Sequence, residues 1–101
     1  MPEVVMHDQH FTFARVGRYN NARVCYALVD ANGEEVYRVS VNVPDVALGK
    51  QELLVKDYTE NTGMLAALLA AGVVRDTGTR IPSGFVDLPL VELVGTPPEA
   101  V

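Results

Sequence analysis

The sequence predicts an α+β fold, in which an antiparallel β-sheet of four to five strands packs against one amphipathic helix. Three observations predict it. Several short segments alternate apolar and polar residues with the period of a β-strand. The pair Asn32-Gly33 separates two β-rich runs and favours a type I′ hairpin in a strand meander. The segment 64–71, MLAALLAA, consists of strong helix formers.

Five segments have the alternation or the apolar content of strands: 11–16, 23–30, 35–43, 53–56 and 85–94. The second segment is apolar on both faces, so we expect it at the centre of the sheet. Pro89 in the last segment favours an edge position or a bulge, because proline has no backbone N–H. Residues 75–84 are rich in turn formers and are predicted to be a loop.

The helix is predicted at residues 60–71, with an apolar stripe formed by Met64, Leu65, Leu68 and Leu69. Candidate N-caps are Asp57, Thr59 and Asn61. Asp57 and Glu60 also have the spacing of a capping box. Gly72 is expected to end the helix in the left-handed conformation.

A chain of 101 residues fits one domain. We expect an N-terminal arm at 1–9, the α+β domain at 10–94 and a disordered tail at 95–101. The expected core contains Phe13, Val24, Tyr26, Leu28, Val39, Val41, Leu65, Leu68, Leu69, Phe85, Leu88 and Leu90.

Composition limits the kinds of partner. The net charge is −5, from 13 acidic and 8 basic residues, which disfavours strong nucleic-acid binding and favours basic partners. One cysteine excludes an internal disulfide, and the first ten residues lack the basic and apolar regions of a signal peptide. The segment 64–71 is too short to cross a membrane. We therefore expect a cytoplasmic protein.

No catalytic or metal site is predicted, and no cofactor is expected. His7 and His10 have ligand spacing, but Cys25 is the only further Cys or His ligand in the chain. Cys25 itself lies in an apolar strand, where a buried side chain is the expected role. Ser40 and Ser83 have no triad context. These observations favour a protein that is not an enzyme.

Two charged segments are candidate binding sites. The basic one contains Arg15, Arg18, Tyr19 and Arg23, and it can hold a phosphate or stack a base, or it can be a solvated hairpin loop. The acidic one has a local net charge of −4 and contains Asp30, Glu34, Glu35, Asp45, Glu52, Asp57 and Glu60. It can dock on a basic groove, or it can be a solvated surface.

Two stretches carry a resemblance to a family. One is the hairpin 18–43 with its Asn-Gly turn and the ending Val41-Asn42-Val43-Pro44. The other is 68–90, with Ala71-Gly72-Val73, Thr77-Gly78, Ser83-Gly84-Phe85 and Leu88-Pro89-Leu90. Over residues 11–94 the chain resembles small uncharacterised domains carried by bacterial plasmids, integrative elements and phages. The resemblance implies an accessory or anti-defence role, such as that of an anti-CRISPR protein.

The expected function is a non-enzymatic inhibitor that binds a host defence protein, specifically a CRISPR effector, through the acidic segment. The alternative is a small module that binds nucleic acid or a nucleotide through Arg15, Arg18, Tyr19 and Arg23. An enzyme with a site that is invisible in the sequence is the third option. A monomer and a homodimer are both compatible with the sequence.

Overall fold

The computed structural model describes residues 3–100, and within them it contains seven β-strands, one 3-10 turn and one α-helix. The first sheet contains β1 Glu3–Met6, β2 Gln9–Arg18, β3 Val24–Val29 and β4 Glu35–Arg38. The second sheet contains β5 Glu52–Leu54, β6 Val74–Ser83 and β7 Val86–Leu93. The 3-10 turn is Thr59–Asn61, and the helix α1 is Met64–Ala71. The predicted α+β class is confirmed.

The strands form two antiparallel sheets, with orders β1-β2-β3-β4 and β5-β7-β6, instead of the single sheet expected. The irregular segment 44–51, which begins with a proline, separates β4 from β5 along the chain. The two sheets nevertheless meet just after β4. Ser40 forms an antiparallel bridge with Val55, and the Val41 N–H donates to the Leu54 carbonyl at 2.9 Å.

Both sheets and α1 bury their apolar faces in one core. The helix contacts β1 and β6, which are the outer strands of the two sheets, so it covers the open side between them. Phe13 stacks on Tyr26 at a centroid distance of 5.6 Å in the middle of this core. The core cluster contains Val4, Met6, Phe11, Phe13, Tyr26, Leu28, Val39, Leu53, Val55, Met64, Leu68, Val73, Val74, Val91 and Leu93.

The helix is shorter than predicted, because it begins at Met64 and not at residue 60. Gly63 precedes it with a φ of 96°, and its N–H donates to the Asp57 carboxylate at 2.8 Å. Met64 and Leu68 are buried, whereas Leu69 is 40% exposed. Its exposed positions are mostly alanine, so the predicted contrast between an apolar and a polar face is weak. Within residues 3–100 no helix is long and apolar enough to cross a membrane.

Asn61 has a different role from the N-cap predicted for it. It is fully buried, and its Nδ2 donates to the carbonyls of Arg38 at 2.6 Å and Lys56 at 3.2 Å. The side chain therefore ties the end of β4 to the segment that precedes the helix. Its Oδ1 has no hydrogen-bond partner within the described residues.

Gly72 ends the helix as predicted, with a φ of 72°. Its N–H donates to the Leu69 carbonyl at 3.0 Å, and the Val73 N–H donates to the Leu68 carbonyl at 3.3 Å. This pair of bonds is a Schellman motif, and the accompanying apolar contact is supplied by Leu68 and Val73, which both belong to the core.

The turn between β3 and β4 is not the type I′ turn predicted from Asn32-Gly33. That turn needs positive φ at both residues, and only Gly33, at 80°, has it. The Asp30 carboxylate accepts the N–H groups of Asn32 at 2.9 Å and Glu34 at 3.0 Å. This carboxylate fixes a longer turn over 30–34, which leaves one left-handed position for glycine.

The segment 75–84, predicted to be a loop, is mostly strand β6. Residues 75–80 are exposed, so no apolar alternation marks them in the sequence. A bulge interrupts β6 between Asp76 and Arg80, where the Asp76 carboxylate accepts the Gly78 N–H at 2.9 Å and pairs with the Arg80 guanidinium at 2.8 Å. The Asp76 carboxylate therefore stabilises the bulge within the exposed part of β6.

The expected arm and tail belong to the domain wherever the structure describes them; residues 1, 2 and 101 lie outside the described residues. Glu3–Met6 form β1, paired with β2. Residues 97–100 lie along β2, where the Arg15 N–H donates to the Pro98 carbonyl and the Ala100 N–H donates to the Arg15 carbonyl, both at 2.8 Å. The C-terminal segment thus supplies hydrogen-bond partners to backbone groups of β2 beyond the part that pairs with β1.

Half of the predicted core residues are buried: Phe13, Tyr26, Leu28, Val39, Leu68 and Leu88. Those half-buried are Val24, Val41, Leu65 and Leu90. The prediction was wrong for Leu69 and for Phe85, which is fully exposed. Phe85 lies in the tight turn between β6 and β7, and the last strand begins one residue later than predicted.

Replacing Leu68 by alanine is expected to destabilise the fold by about 2–5 kcal/mol, because its buried side chain would leave a cavity between α1 and both sheets. Leu69→Ala, on the exposed side of the same helix, is the matched control and should change the unfolding free energy little. Urea denaturation followed by circular dichroism measures both. Equal losses for the two variants would contradict the observed orientation of α1.

Acid should weaken the fold between about pH 4.5 and pH 2. The hydrogen bond from Lys56 lowers the pKa of Glu60 from 4.5 to about 2. The hydrogen bond from Arg80 lowers the pKa of Asp76 from 3.8 to about 2. A lowered folded-state pKa stabilises the fold above the ordinary value, and this contribution is lost as the pH falls toward 2. The double variant Glu60→Gln, Asp76→Asn should show a flatter dependence of unfolding free energy on pH over this window. An unchanged slope would contradict the two ion pairs.

Candidate functional site

The pairing of the basic side chains divides them into two groups. Five of the eight basic residues form ion pairs with carboxylates: Arg15, Arg38, Lys56, Arg75 and Arg80. Arg18, Arg23 and Lys50 have no carboxylate partner within 4.0 Å among residues 3–100. These three residues line the same cavity.

This cavity, called the cleft below, has a volume of about 460 Å³. Its walls are the end of β2 with the β2–β3 turn, the segment 40–42 after β4, and the loop 48–50 with β5. Its apolar lining is supplied mainly by Val24, Tyr26, Leu48, Leu53 and Leu54. The cleft therefore combines an apolar interior with an excess of positive charge.

A β-bulge in β2 brings Arg18 to the cleft. Arg15 is opposite Tyr26, but the register shifts between Arg15 and Gly17, so that Arg18 is opposite Val24. Val24 and Tyr26 lie on the same face of β3, because side chains two residues apart share a face. Without the extra residue, position 18 would fall on the opposite face of the sheet.

The β2–β3 turn fixes the position of the Arg18 head group. The Tyr19 N–H donates to the Arg23 carbonyl at 2.8 Å, and the Ala22 N–H donates to the Tyr19 carbonyl at 2.9 Å. Ala22 has a φ of 67°, an unfavourable conformation for a residue with a Cβ. Its carbonyl accepts a hydrogen bond from Arg18 Nη1 at 2.7 Å, and within residues 3–100 Nε and Nη2 of Arg18 have no partner.

Arg23 holds the outer loop of the cleft in place. Its Nη1 donates to the Val43 carbonyl at 2.8 Å, and its Nη2 donates to the Val46 carbonyl. The guanidinium keeps its positive charge while it makes these neutral contacts, because arginine does not deprotonate in proteins. Arg23 thus contributes charge to the cleft and also orders the wall.

Glu52 holds the other end of the same loop. One of its carboxylate oxygens, Oε1, accepts the Gly49 N–H at 2.6 Å. A Cβ added to Gly49 would lie 3.1 Å from this oxygen, so a larger residue there would require a small shift of the Glu52 side chain. Lys50, next to Gly49, makes no side-chain hydrogen bond within the described residues and keeps its donors free.

Tyr19, Ser40 and Tyr26 form a bonded group in the cleft. The Tyr19 hydroxyl lies 3.0 Å from the Ser40 carbonyl and 2.9 Å from Ser40 Oγ, which accepts the Tyr26 N–H at 2.9 Å. Burial raises the pKa of Tyr19 above its ordinary value of 10.0, so the hydroxyl stays protonated and can donate to the carbonyl. The Arg38 guanidinium lies 6.0 Å from the centre of the Tyr19 ring.

The structure places three residues of the predicted basic segment together in the cleft: Arg18, Tyr19 and Arg23. It separates Arg15, whose Nε donates to the Pro97 carbonyl at 2.8 Å and whose Nη1 lies 3.9 Å from Glu99. Lys50 was missed, since it is distant in sequence and no local pattern links it to the others. Only the fold brings it to the same cleft.

The predicted acidic residues lie on three segments: the β3–β4 turn, the loop with β5, and the region of the 3-10 turn. Five of them accept bonds or form ion pairs within the chain: Asp30, Glu35, Glu52, Asp57 and Glu60. Glu34 and Asp45 are exposed and have no side-chain partner within residues 3–100. Most of these carboxylates therefore fix turns and local ion pairs.

The other candidate residues lie elsewhere in the fold. His7 and Asp8 form the tight turn between β1 and β2, both with positive φ. His10 lies in β2, 3.1 Å from Glu3. Cys25 is buried in β3. Among residues 3–100, no group of three His, Cys, Asp or Glu side chains is arranged to hold a metal ion.

No family model, no curated protein and no solved structure matches this chain. The resemblance to domains of mobile genetic elements therefore stays a prediction from the sequence. The function has to be inferred from the geometry and electrostatics of the cleft and of the exposed carboxylates.

Proposed function

We propose that the protein binds a small anionic ligand of the nucleotide class in the cleft. One observation carries the proposal: the three basic residues without carboxylate partners within the described residues all line one cavity. In a protein of net charge −5, cations without carboxylate partners that gather at a single place support an anion-binding site there.

The size of the cleft and the overall charge favour a small ligand over a polymer. A cavity of about 460 Å³ lies in the range of small-molecule sites. A nucleic acid requires several cations along its backbone. The other five basic residues of the protein are already paired with carboxylates. The rest of the acidic surface would repel a long polyanion.

The available donors suit a phosphate. In the part of the chain that the structure describes, Arg18 has two donor atoms without a partner, and the Lys50 ammonium group has no partner either. Hydrogen bonds from such groups to phosphate are charge-assisted and roughly twice as strong as neutral ones. The half-buried Tyr19 ring and the apolar side chains of the lining offer a surface for a planar base. A nucleotide has both parts.

Arg18→Ala and Lys50→Ala are each expected to weaken binding of adenosine 5′-monophosphate about tenfold or more, because each removes a charge-assisted hydrogen bond. Isothermal titration calorimetry at low salt measures the affinity. Arg75→Ala is the matched control, since neither Arg75 nor its partner Glu92 lines the cleft and its loss should leave binding unchanged. Wild-type affinity in both cleft variants would overturn the proposal, as would tighter binding of a single-stranded oligonucleotide.

A second candidate is the protein-binding inhibitor, an anti-CRISPR protein encoded by a mobile element and active in the bacterial cytoplasm. The exposed carboxylates of Glu34 and Asp45 support it, because they have no internal partner within the described residues and are available to a basic groove. The other acidic residues of the predicted surface contribute charge while they fix turns. This proposed function is compatible with both a monomer and a homodimer.

Reversing both charges, with Glu34→Lys and Asp45→Lys, should abolish recovery of a CRISPR effector by the tagged protein from a lysate with an active CRISPR system. Mass spectrometry identifies the recovered effector, and circular dichroism checks that the fold is intact. The control is Asp87→Lys, an exposed carboxylate on β7 that is outside the predicted acidic segment. Equal recovery of the effector by the reversed variant, or no effector with the wild type, would contradict this function.

A further inference from the structure

Glu52 is the single carboxylate among the residues that line the cleft. Its Oε1 accepts the Gly49 N–H at 2.6 Å, and its Oε2 has no hydrogen-bond or ion-pair partner among residues 3–100. An ionised carboxylate has no proton, so its oxygens accept hydrogen bonds and do not donate them. Among the described residues, Glu52 Oε2 is thus an acceptor without a partner in a lining whose other charged side chains are all cationic.

We infer that Glu52 makes the cleft selective for nucleotides whose base carries an amino group, as adenine and cytosine do, over bases with an oxo group at that position. This inference rests on the nucleotide function proposed above. Arg18 and Arg23 belong to the wall formed by β2 and the β2–β3 turn, whereas Glu52 belongs to the wall formed by the loop and β5. A ligand whose phosphate lies between Arg18 on the first wall and Lys50 on the second can extend its base along the second wall to Glu52.

The selectivity follows from the polarity of the hydrogen bond. An exocyclic amino group donates to Glu52 Oε2, which satisfies both partners. An oxo group would place one acceptor against another and would leave both without a donor inside an apolar site. A site built to hydrogen-bond one group discriminates strongly against an analogue that cannot make the bond, because the polar group of the protein is then left unpaired.

The Gly49 contact keeps the carboxylate in place for this role. The bond from the Gly49 N–H fixes one oxygen, so the second oxygen has a defined position at the cleft. Glu52 is half-buried, and its neighbours in β5, Leu53 and Leu54, are buried. Glu52 thus lies beside apolar residues of the lining, where a mismatched ligand would leave the carboxylate poorly solvated.

The substitution Glu52→Gln tests the inference with little change in structure. The glutamine oxygen can still accept the Gly49 N–H, while the amide nitrogen replaces the free oxygen and turns an acceptor into a donor. Isothermal titration calorimetry with the 5′-monophosphates of adenosine, inosine, cytidine and uridine measures the preference. We expect the wild type to favour the adenosine and cytidine forms by about tenfold, and the variant to lose or reverse this preference.

Glu92→Gln is the matched control, because Glu92 is the cross-strand neighbour of Glu52 on β7 and does not line the cleft. It should keep the wild-type preference, and thermal melting should show that both variants fold. Equal affinity of the wild type for all four nucleotides would overturn the role of Glu52 and leave the nucleotide site standing. An unchanged preference in Glu52→Gln would do the same. No binding of any of the four would overturn the proposed function itself.

Discussion

The rest of the structure depends on the junction of the two sheets just after β4. Neither a four-stranded nor a three-stranded sheet of this size can bury its apolar face alone. Backbone bonds from the segment 39–41 to β5 and the residues beside it align the sheets, so that a single core fills the space between them. The helix then closes the remaining side. Asn61 reinforces the junction, since it bonds carbonyls on both sides of it.

The same junction produces the cleft. Where the sheets separate beyond residue 41, the chain needs an irregular loop to reach β5, and this loop forms the outer wall. Arg23 and Glu52 fasten it at its two ends, each through hydrogen bonds with its backbone. Both residues thus have a structural contact and a charge at the cleft. The wall of a binding site that is held in this way is preorganised for its ligand.

Electrostatic pairing decides where a charged ligand can bind. Most carboxylates of this acidic chain are committed to turns or to ion pairs, and most cations are neutralised by them. Among residues 3–100, this pairing leaves a few exposed carboxylates and the three cations of the cleft. A count of charges in the sequence gives the net value of −5 but does not reveal this separation. The proposed nucleotide site uses the unpaired cations, and the proposed inhibitor surface uses the unpaired carboxylates.

The sequence by itself determined the elements whose signal is local. The α+β class, the strands around Tyr26 and Val91, and the helix end at Gly72 follow from alternation, composition and the need for a left-handed residue. The tertiary structure alone decided that β6 is a strand, that Phe85 is exposed, and that Lys50 joins Arg18. Residues 75–80 of β6 are exposed and so carry no apolar alternation, and Phe85 lies in the short turn between β6 and β7. Lys50 and Arg18 meet only through contacts between segments far apart in the chain. A periodicity over neighbouring residues contains no information about which distant segment supplies a hydrogen-bond partner or a charge.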